Sequence, residues 1–384
     1  MIETQSQLAH QIAEGLLDRN RILEDFFAQE APRLAAVSQE MADRFVRGGR
    51  LLAFGRGACA TDAQHVSVEF VHPVIVGKRA LPALDLSSQF GPWLEALVRP
   101  EDMVMGFAPP EGDLEVEAAL NAARAGGAMT LDLPTVTGDA FINQELIEVL
   151  YHTLWETVHV FLEHRELGKD TGPAGFLYPF LGQDKQDTAS LLREVAESIR
   201  MKVQDDARLR IQVAGDQSEQ IAATALAMND RLRRGGKLIL FGNGGSATDA
   251  NDWALDCIAP PNGWRSIPAI SLALEPANIS AIANDVGTEV IFLRQLIAHA
   301  RPEDIAVAIS TSGGSRNIVL ALEEAGKRGM LTVALLGYDG GEILRRGLAD
   351  FPLIVRCDYI PRIQEVQASI YHSLRAAQAE AGRA

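Results

Sequence analysis

Hydrophobic positions along this chain change period in a repeating order. Residues 5–47 carry apolar side chains at helical spacing, among them Ile12, Leu16, Leu17 and Leu23, and a stripe of the same kind returns over 188–233. Each long helical segment is followed by Arg-Gly-Gly and then by an apolar run of strand length, 51–54 in the first case and 238–241 in the second. Further runs at 269–272, 305–309 and 332–336 alternate with helix-like stretches such as 318–328, and closing helices are predicted near 143–167 and 362–381. Strand, glycine-rich turn and helix in alternation predict an α/β fold, a parallel sheet flanked by helices in the doubly wound, flavodoxin-like manner.

The order is run through twice. LLAFGRGACATDA at 51–63 answers LILFGNGGSATDA at 238–250, and Leu81-Pro82-Ala83-Leu84 answers Ile267-Pro268-Ala269-Ile270. Arg99-Pro100-Glu101-Asp102 answers Arg301-Pro302-Glu303-Asp304, and Gln144 with His152 answers Gln364 with His372. Units of this size are domains rather than solenoid repeats, so the pattern predicts a tandem duplication, 1–168 and 188–384. The intervening 169–187 is the predicted linker, with Gly, Pro and polar residues at both ends and an apolar FLYPFL centre expected to pack onto a domain.

Composition narrows the chemistry. Thirty-five Lys and Arg against 51 Asp and Glu leave a net charge of -16, the wrong sign for a protein that neutralises a nucleic-acid backbone or lies on anionic lipid. No apolar run approaches the roughly 18 residues that span a bilayer, and the first residues are polar, so no nucleic-acid or membrane partner is expected. Cys59, Cys257 and Cys357 stand far apart with no CxxC, which suits a reducing cytoplasm and leaves any metal to His and carboxylate.

Two loops of the second unit suit an anion. Gly242-Asn243-Gly244-Gly245-Ser246 follows the strand 238–241 and leads into a helix expected to begin near Thr248. Ser310-Thr311-Ser312-Gly313-Gly314-Ser315 follows the strand 305–309 and also leads into a helix. Glycines let backbone N–H groups approach an anion, and helix N-termini add partial positive charge without needing lysine. Neither loop carries the dinucleotide fingerprint or a Walker A lysine. One such loop reads as a tight turn; two at strand carboxyl ends of one sheet read as a ligand site.

GNGGSATDA, AIANDVG at 281–287, STSGGS and RIQEVQASIYH at 362–372 together resemble the sugar isomerase (SIS) domain, and within it the phosphoheptose (sedoheptulose-7-phosphate) isomerases. The four motifs occur in family order over nearly all of 188–384. The resemblance implies that Gly244, Gly245, Ser246, Asn284, Asp285, Ser310, Thr311, Ser312, Ser315 and Gln364 bind the sugar phosphate. It also implies a metal, often zinc, held by a His and a Glu one helical turn apart plus the Gln and His of the last helix. Here the second unit departs from the pattern, with Asp252 and Asp256 at the His and Glu positions. These aspartates read as a substitute metal site, an exposed helix face or acceptors for substrate hydroxyls.

The first unit has what the second lacks. In TDAQHVSVEF, His65 and Glu69 share a helical face, and Gln144 and His152 stand at the same spacing as Gln364 and His372. An isolated His/Glu pair reads as a solvated ion pair. In family register the four are expected to hold a divalent metal, zinc, with Glu69 as base and His152 as acid. A tight metal ligand is not at the same time a free base, and the sequence leaves that choice open. The phosphate loop is replaced by Ala108-Pro109-Pro110-Glu111-Gly112-Asp113, which removes hydroxyls and N–H donors and adds charge.

The expected activity is therefore isomerisation of sedoheptulose 7-phosphate to D-glycero-D-manno-heptose 7-phosphate, at a composite site using metal and acid–base groups of one unit and the phosphate cradle of the other. A homodimer mimicking a four-SIS-domain assembly is implied. A related isomerase of hexose or pentose phosphates is the nearer alternative. The more distant one is a non-catalytic sugar-phosphate sensor or protein-binding adaptor of the replication-initiator-associating type. Random decay would not spare in each unit what the other has lost, and that favours the enzyme.

Overall fold

A computed structural model of the chain describes residues 2–75, 77–165 and 188–381; the predicted linker at 169–187 lies outside the described residues. Two compact units are formed, one from Arg21–Asp205 and one from Met1–Asn20 with Asp206–Ala384. Their boundaries fall inside two long helices, α1 (Ile2–Val46) and α6 (Thr188–Arg233). At 1.5 Å per residue each helix is roughly 65–70 Å long, about twice the width of a small domain, so its stripe serves two cores. Ile12 and Leu16 pack with Val213, Ile221 and Ala225, whereas Leu23 and Phe27 pack with Leu51 and Leu146. Leu17, on the same apolar stripe, is exposed.

In the unit Arg21–Asp205 the strands are β1 (Leu51–Gly55), β2 (Ala83–Asp85), β3 (Met103–Phe107) and β4 (Met129–Leu131), a parallel sheet in the order β2-β1-β3-β4. Helices α2 (Ala60–Val71), α3 (Phe90–Leu97), α4 (Leu114–Ala125) and α5 (Ala140–Arg165) accompany it. Side chains alternate across the sheet: Leu51, Ala53, Met103 and Met105 enter one core with α2 and α5, and Leu52, Phe54 and Val104 the other with α4. Both faces are covered, which is why these strands read as unbroken apolar runs.

The other unit places β5 (Leu238–Gly242), β6 (Ala269–Ser271), β7 (Ile305–Ser310), β8 (Leu331–Gly337) and β9 (Phe351–Val355) in a parallel sheet ordered β6-β5-β7-β8-β9. Its helices are α7 (Gly245–Ile258), α8 (Pro276–Asp285), α9 (Ile291–His299), α10 (Arg316–Lys327), the short α11 (Gly341–Arg345) and α12 (Ile360–Ala381). Its first four strands follow the order of the smaller sheet, and β9 adds an edge strand.

The recurrent Arg-Gly-Gly and Arg-Pro-Glu-Asp segments meet in space. A Cβ on Gly49 would lie 2.2 Å from the Glu101 carbonyl oxygen, and one on Gly236 2.2 Å from that of Glu303, so only glycine fits. Asp102 accepts from the backbone N–H groups of Arg50 and Arg99 at 2.9 and 3.0 Å; Asp304 accepts from those of Lys237 and Arg301 at 3.0 and 2.9 Å. Each aspartate also pairs with a strand-leading cation, Arg50 or Lys237. This clamp fixes where the central strands start, and hence where their carboxyl ends and loops emerge.

Replacing Asp304 by Ala should strand two backbone donors and one cation, at a cost of about 2–4 kcal/mol. A fall in the urea midpoint of the 206–384 core, with Asp304→Asn recovering part of it, is the outcome expected; no shift would deny the clamp its role.

Candidate active site

Gly55 ends β1 where a Cβ would lie 2.3 Å from the Cys59 carbonyl oxygen, so strand and helix approach closely as α2 begins. One turn apart on α2, His65 and Glu69 are both buried, and α5 brings His152, fully buried, against them. The two imidazole Nε2 atoms are 3.4 Å apart, and His65 Nε2 is 3.8 Å from Glu69 Oε1. Tyr151 packs against both rings, with centroids 5.2 Å from His65 and 5.1 Å from His152, which holds the imidazoles in place. Donor atoms on a tetrahedral divalent ion with bonds of about 2.1 Å lie about 3.4 Å apart, so two imidazoles and a carboxylate at these separations fit a metal. Gln144, half-buried, stands two turns before His152 on α5, about 12 Å along the axis.

In the other unit the equivalent trio is Asp252, Asp256 and His372. In each trio one donor atom from every residue lies within 4.8 Å of the others. His372 Nε2 lies 3.7 Å from Asp252 Oδ2 and 3.6 Å from Asp256 Oδ2. The Tyr371 hydroxyl donates to Asp252 at 2.9 Å, and Arg375 Nε donates to the Asp256 carbonyl at 3.1 Å. Both aspartates are buried, so the exposed-face reading of this pair does not hold: α12 covers that side of α7. Burial, helped by the neighbouring Asp252 charge and opposed by His372, raises the Asp256 carboxyl to about 7. Gln364 is buried on α12, two turns before His372.

The two glycine-rich loops stand side by side at the carboxyl ends of adjacent strands β5 and β7. Helix α7 begins at Gly245, earlier than the predicted Thr248, because Gly244 turns the chain with φ +58°. Ser246 therefore sits in the first helical turn, where it is buried. In the second loop the Gly313 N–H donates to Ser310 Oγ and the Gly314 N–H to Ser312 Oγ, at 3.2 and 3.3 Å. Gly313 has φ +59° and no room for a Cβ, which would meet the Gly340 carbonyl at 2.2 Å. Thr311 and Gly313 carbonyls accept from the Gly337 and Ile343 N–H groups, tying the loop to its neighbour. Ser315 is the N-cap of α10 and makes no side-chain capping bond; Asn317 Oδ1 accepts from the Ile318 N–H at 3.0 Å, and among the described residues no side chain accepts from the N–H groups of Arg316 and Asn317, so no carboxylate occupies this helix mouth. Asn243 and Asn317 exchange amide hydrogen bonds of 3.0 and 2.9 Å and join the two loops. Asn284 and Asp285 are exposed at the end of α8, bonded to each other at 2.8 Å.

The corresponding helix mouth in the first sheet is filled from within. Asp113 Oδ1 accepts from the N–H groups of Glu115 and Val116 at 2.9 and 3.1 Å, capping α4. Arg56, which stands where Asn243 stands in the other unit, pairs with Asp113 at 3.4 Å and Glu115 at 3.0 Å. A cavity of about 860 Å³ opens over these strand ends, but Asp85 and Glu115 on its wall outweigh Arg56. A phosphate there would displace a carboxylate and face two more.

The cap at Asp113, the Asn243–Asn317 bridge and the Tyr371 and Arg375 contacts are absent from the sequence reading. An acidic residue ahead of Leu-Glu-Val-Glu is an N-cap signal that was legible. The bridge joins residues far apart in sequence and carries no local signature.

The SIS domain family model matches residues 204–337. The phosphoheptose isomerase of Geobacter sp. (strain M21) is 41% identical over 177 residues, 46% of this chain and 91% of that protein. That of Geotalea daltonii is 40% identical over 179 residues, 46% and 92%. Among solved structures, the C-terminal domain of glucosamine-fructose-6-phosphate aminotransferase from Francisella tularensis superposes with a TM-score of 0.56 at 9% identity, covering 93% of this chain and 95% of that one. At that identity the likeness is one of fold. No described helix is long and apolar enough to cross a membrane.

A carboxyl whose folded pKa is raised favours the folded state most below its unfolded value of 3.8, and that contribution is lost as pH rises through about 7. In chelator-treated protein, Asp256→Asn should therefore flatten the decline in unfolding midpoint between about pH 4 and pH 7. A wild-type slope in the variant would place the titration elsewhere.

Proposed function

Because the chain belongs to the phosphoheptose isomerase family of SIS-domain proteins, we propose that it is an aldose–ketose isomerase converting sedoheptulose 7-phosphate to D-glycero-D-manno-heptose 7-phosphate. The observation that carries the reading is a complementary one. The buried His65–Glu69–His152 trio belongs to the unit whose α4 mouth is filled by Asp113, and the α10 mouth that holds no carboxylate to the unit whose trio is Asp252–Asp256–His372. Acid–base groups of the first and phosphate ligands of the second supply one complete set. The reading extends to a cytoplasmic homodimer of four SIS-type units descended from a tandem duplication.

Interconverting an aldose and a ketose moves a proton between C1 and C2 and spreads charge over two oxygens. Glu69 takes the proton from C1 while His152 gives one to the C2 carbonyl oxygen, forming an enediol; Glu69 then delivers its proton to C2 as the C1 hydroxyl returns one to His152, and at their burial both groups are shielded from bulk water. A divalent metal, zinc in this reading, would be held by His65, Glu69, Gln144 and His152 and would supply charge stabilisation at the carbonyl and hydroxyl oxygens. With the metal in place, a carboxylate on it is a weaker base, so Glu69 serves one role at a time. Gly244, Gly245, Ser246, Ser310, Thr311, Ser312 and Ser315 hold the phosphate, while Asn284, Asp285 and Gln364 contact the sugar. Phosphate binding energy then positions the reactive end rather than merely adding affinity.

Purified protein assayed against C5–C7 ketose phosphates should turn over the heptulose phosphate best and lose turnover on chelation. Glu69→Gln should lower kcat by about 100- to 10,000-fold with KM little changed. Ser312→Ala should instead raise KM several-fold. Binding without turnover of any ketose phosphate would replace the enzyme by a sensor.

Metal content gives an independent check. A folded His65→Ala, His152→Ala double variant should lose about one equivalent of bound zinc per chain, and undiminished metal would remove the assigned ligands.

A further inference from the structure

Asp252 and Asp256, one turn apart on α7, and His372 on α12 are 3%, 2% and 0% exposed. His372 Nε2 is 3.7 Å from Asp252 Oδ2 and 3.6 Å from Asp256 Oδ2, and the three donor atoms all lie within 4.8 Å of one another. The two printed separations are too long for hydrogen bonds. They match the edges of a coordination tetrahedron with bonds of about 2.2 Å. One imidazole, charged only when protonated, thus faces two buried carboxylates, an arrangement short of positive charge.

An unmade hydrogen bond is the second observation. Asp256 Oδ2, the oxygen turned to His372, accepts none among the described residues. No described lysine or arginine pairs with that carboxylate either; Arg375 donates instead to the carbonyls of Asp256 and Arg265, at 3.1 and 2.9 Å. Buried carboxylate oxygens are nearly always bonded, so this one calls for a cation. The other carboxylate is held in position for the same ion. The Tyr371 hydroxyl donates at 2.9 Å to Asp252 Oδ2, the oxygen that faces His372, and the Tyr371 ring stacks on Trp253 with centroids 5.5 Å apart. Hydrogen bonds of this kind orient carboxylates that bind metals.

We propose that Asp252, Asp256 and His372 form a second divalent-metal site, of the oxygen-preferring kind that takes Mn²⁺, in addition to the His65–Glu69–His152 trio. The first trio offers two imidazoles and one carboxylate, and the second offers the reverse. Imidazole suits zinc and carboxylate oxygen suits manganese, so the exchange moves the site's preference toward the harder ion. The ion ties α7 to α12 and offsets the charge of two buried carboxylates.

The test uses the full chain, freed of metal by a chelator, and Mn²⁺ alone as the probe, with unbound ion counted by its electron paramagnetic resonance signal. The His65→Ala, His152→Ala variant should bind about one equivalent per chain, and adding Asp252→Asn and Asp256→Asn should weaken that binding about a hundredfold. Pulsed spectra of the bound ion should show imidazole nitrogen coupling that His372→Ala removes. If the histidine variant does not fold, the comparison runs from the wild-type chain, which should bind about one equivalent more than Asp252→Asn, Asp256→Asn. Far-UV circular dichroism checks the folding of each variant. The ratio of Zn²⁺ to Mn²⁺ affinity should be about tenfold smaller in the histidine variant, which keeps the second trio, than in the aspartate variant, which keeps the first. Equal ratios overturn the oxygen preference. The site itself is overturned if the histidine variant binds no Mn²⁺ at millimolar ion, or if binding survives the loss of both aspartates. No step of the proposed isomerisation uses this ion, so failure here leaves that reading standing.

Discussion

A helix mouth holds one negative group, and which group it holds governs what each half of this protein can do. The first N–H groups of α4 and α10 emerge from equivalent places in two sheets of the same strand order. In α4 they are bonded to Asp113, worth about 1 kcal/mol to the helix, and Arg56 is drawn onto the same carboxylate. In α10 no carboxylate caps the mouth: Ser315 makes no capping bond, and the neutral Asn317 amide accepts from the Ile318 N–H. An internal carboxylate stabilises the fold but excludes phosphate. A mouth without a carboxylate forgoes that stabilisation and leaves its first N–H groups for another group.

Everything around the open mouth keeps it in shape without a ligand. The Asp304 clamp sets the start of β5 and β7, Gly313 presses against the Gly340 carbonyl, and the Asn243–Asn317 pair couples the two loops. Loops so fastened have little conformational entropy left to lose.

The two buried trios show how one backbone arrangement yields two chemistries. Two donor positions lie one helical turn apart on the helix after the first strand of the sheet, and the third comes from the closing helix. His65, Glu69 and His152 offer two imidazole nitrogens and one carboxylate, a donor set that suits a divalent ion. With Asp252, Asp256 and His372 two carboxylates crowd one imidazole, and burial, with the Asp252 charge beside it, raises the Asp256 carboxyl to about 7. Tyr371 and Arg375 add donors to that cluster.

Much was legible in the sequence itself. Helical and strand periods marked the central strands and the long helices, because covered parallel strands must be continuously apolar and helices must show a stripe. Loop chemistry at 242–246 and 310–315, and the His65/Glu69 spacing, followed from local rules that need only neighbouring residues. What lay beyond it were contacts between residues distant along the chain. That Asn243 and Asn317 join two loops, that α12 buries Asp252 and Asp256 against His372, and that α1 and α6 each serve two cores depend on three-dimensional packing, where burial sets the charge a group can bear. Local sequence pattern specifies which face of an element is apolar, but only the folded chain decides what lies opposite that face, and so which polar groups lose their water.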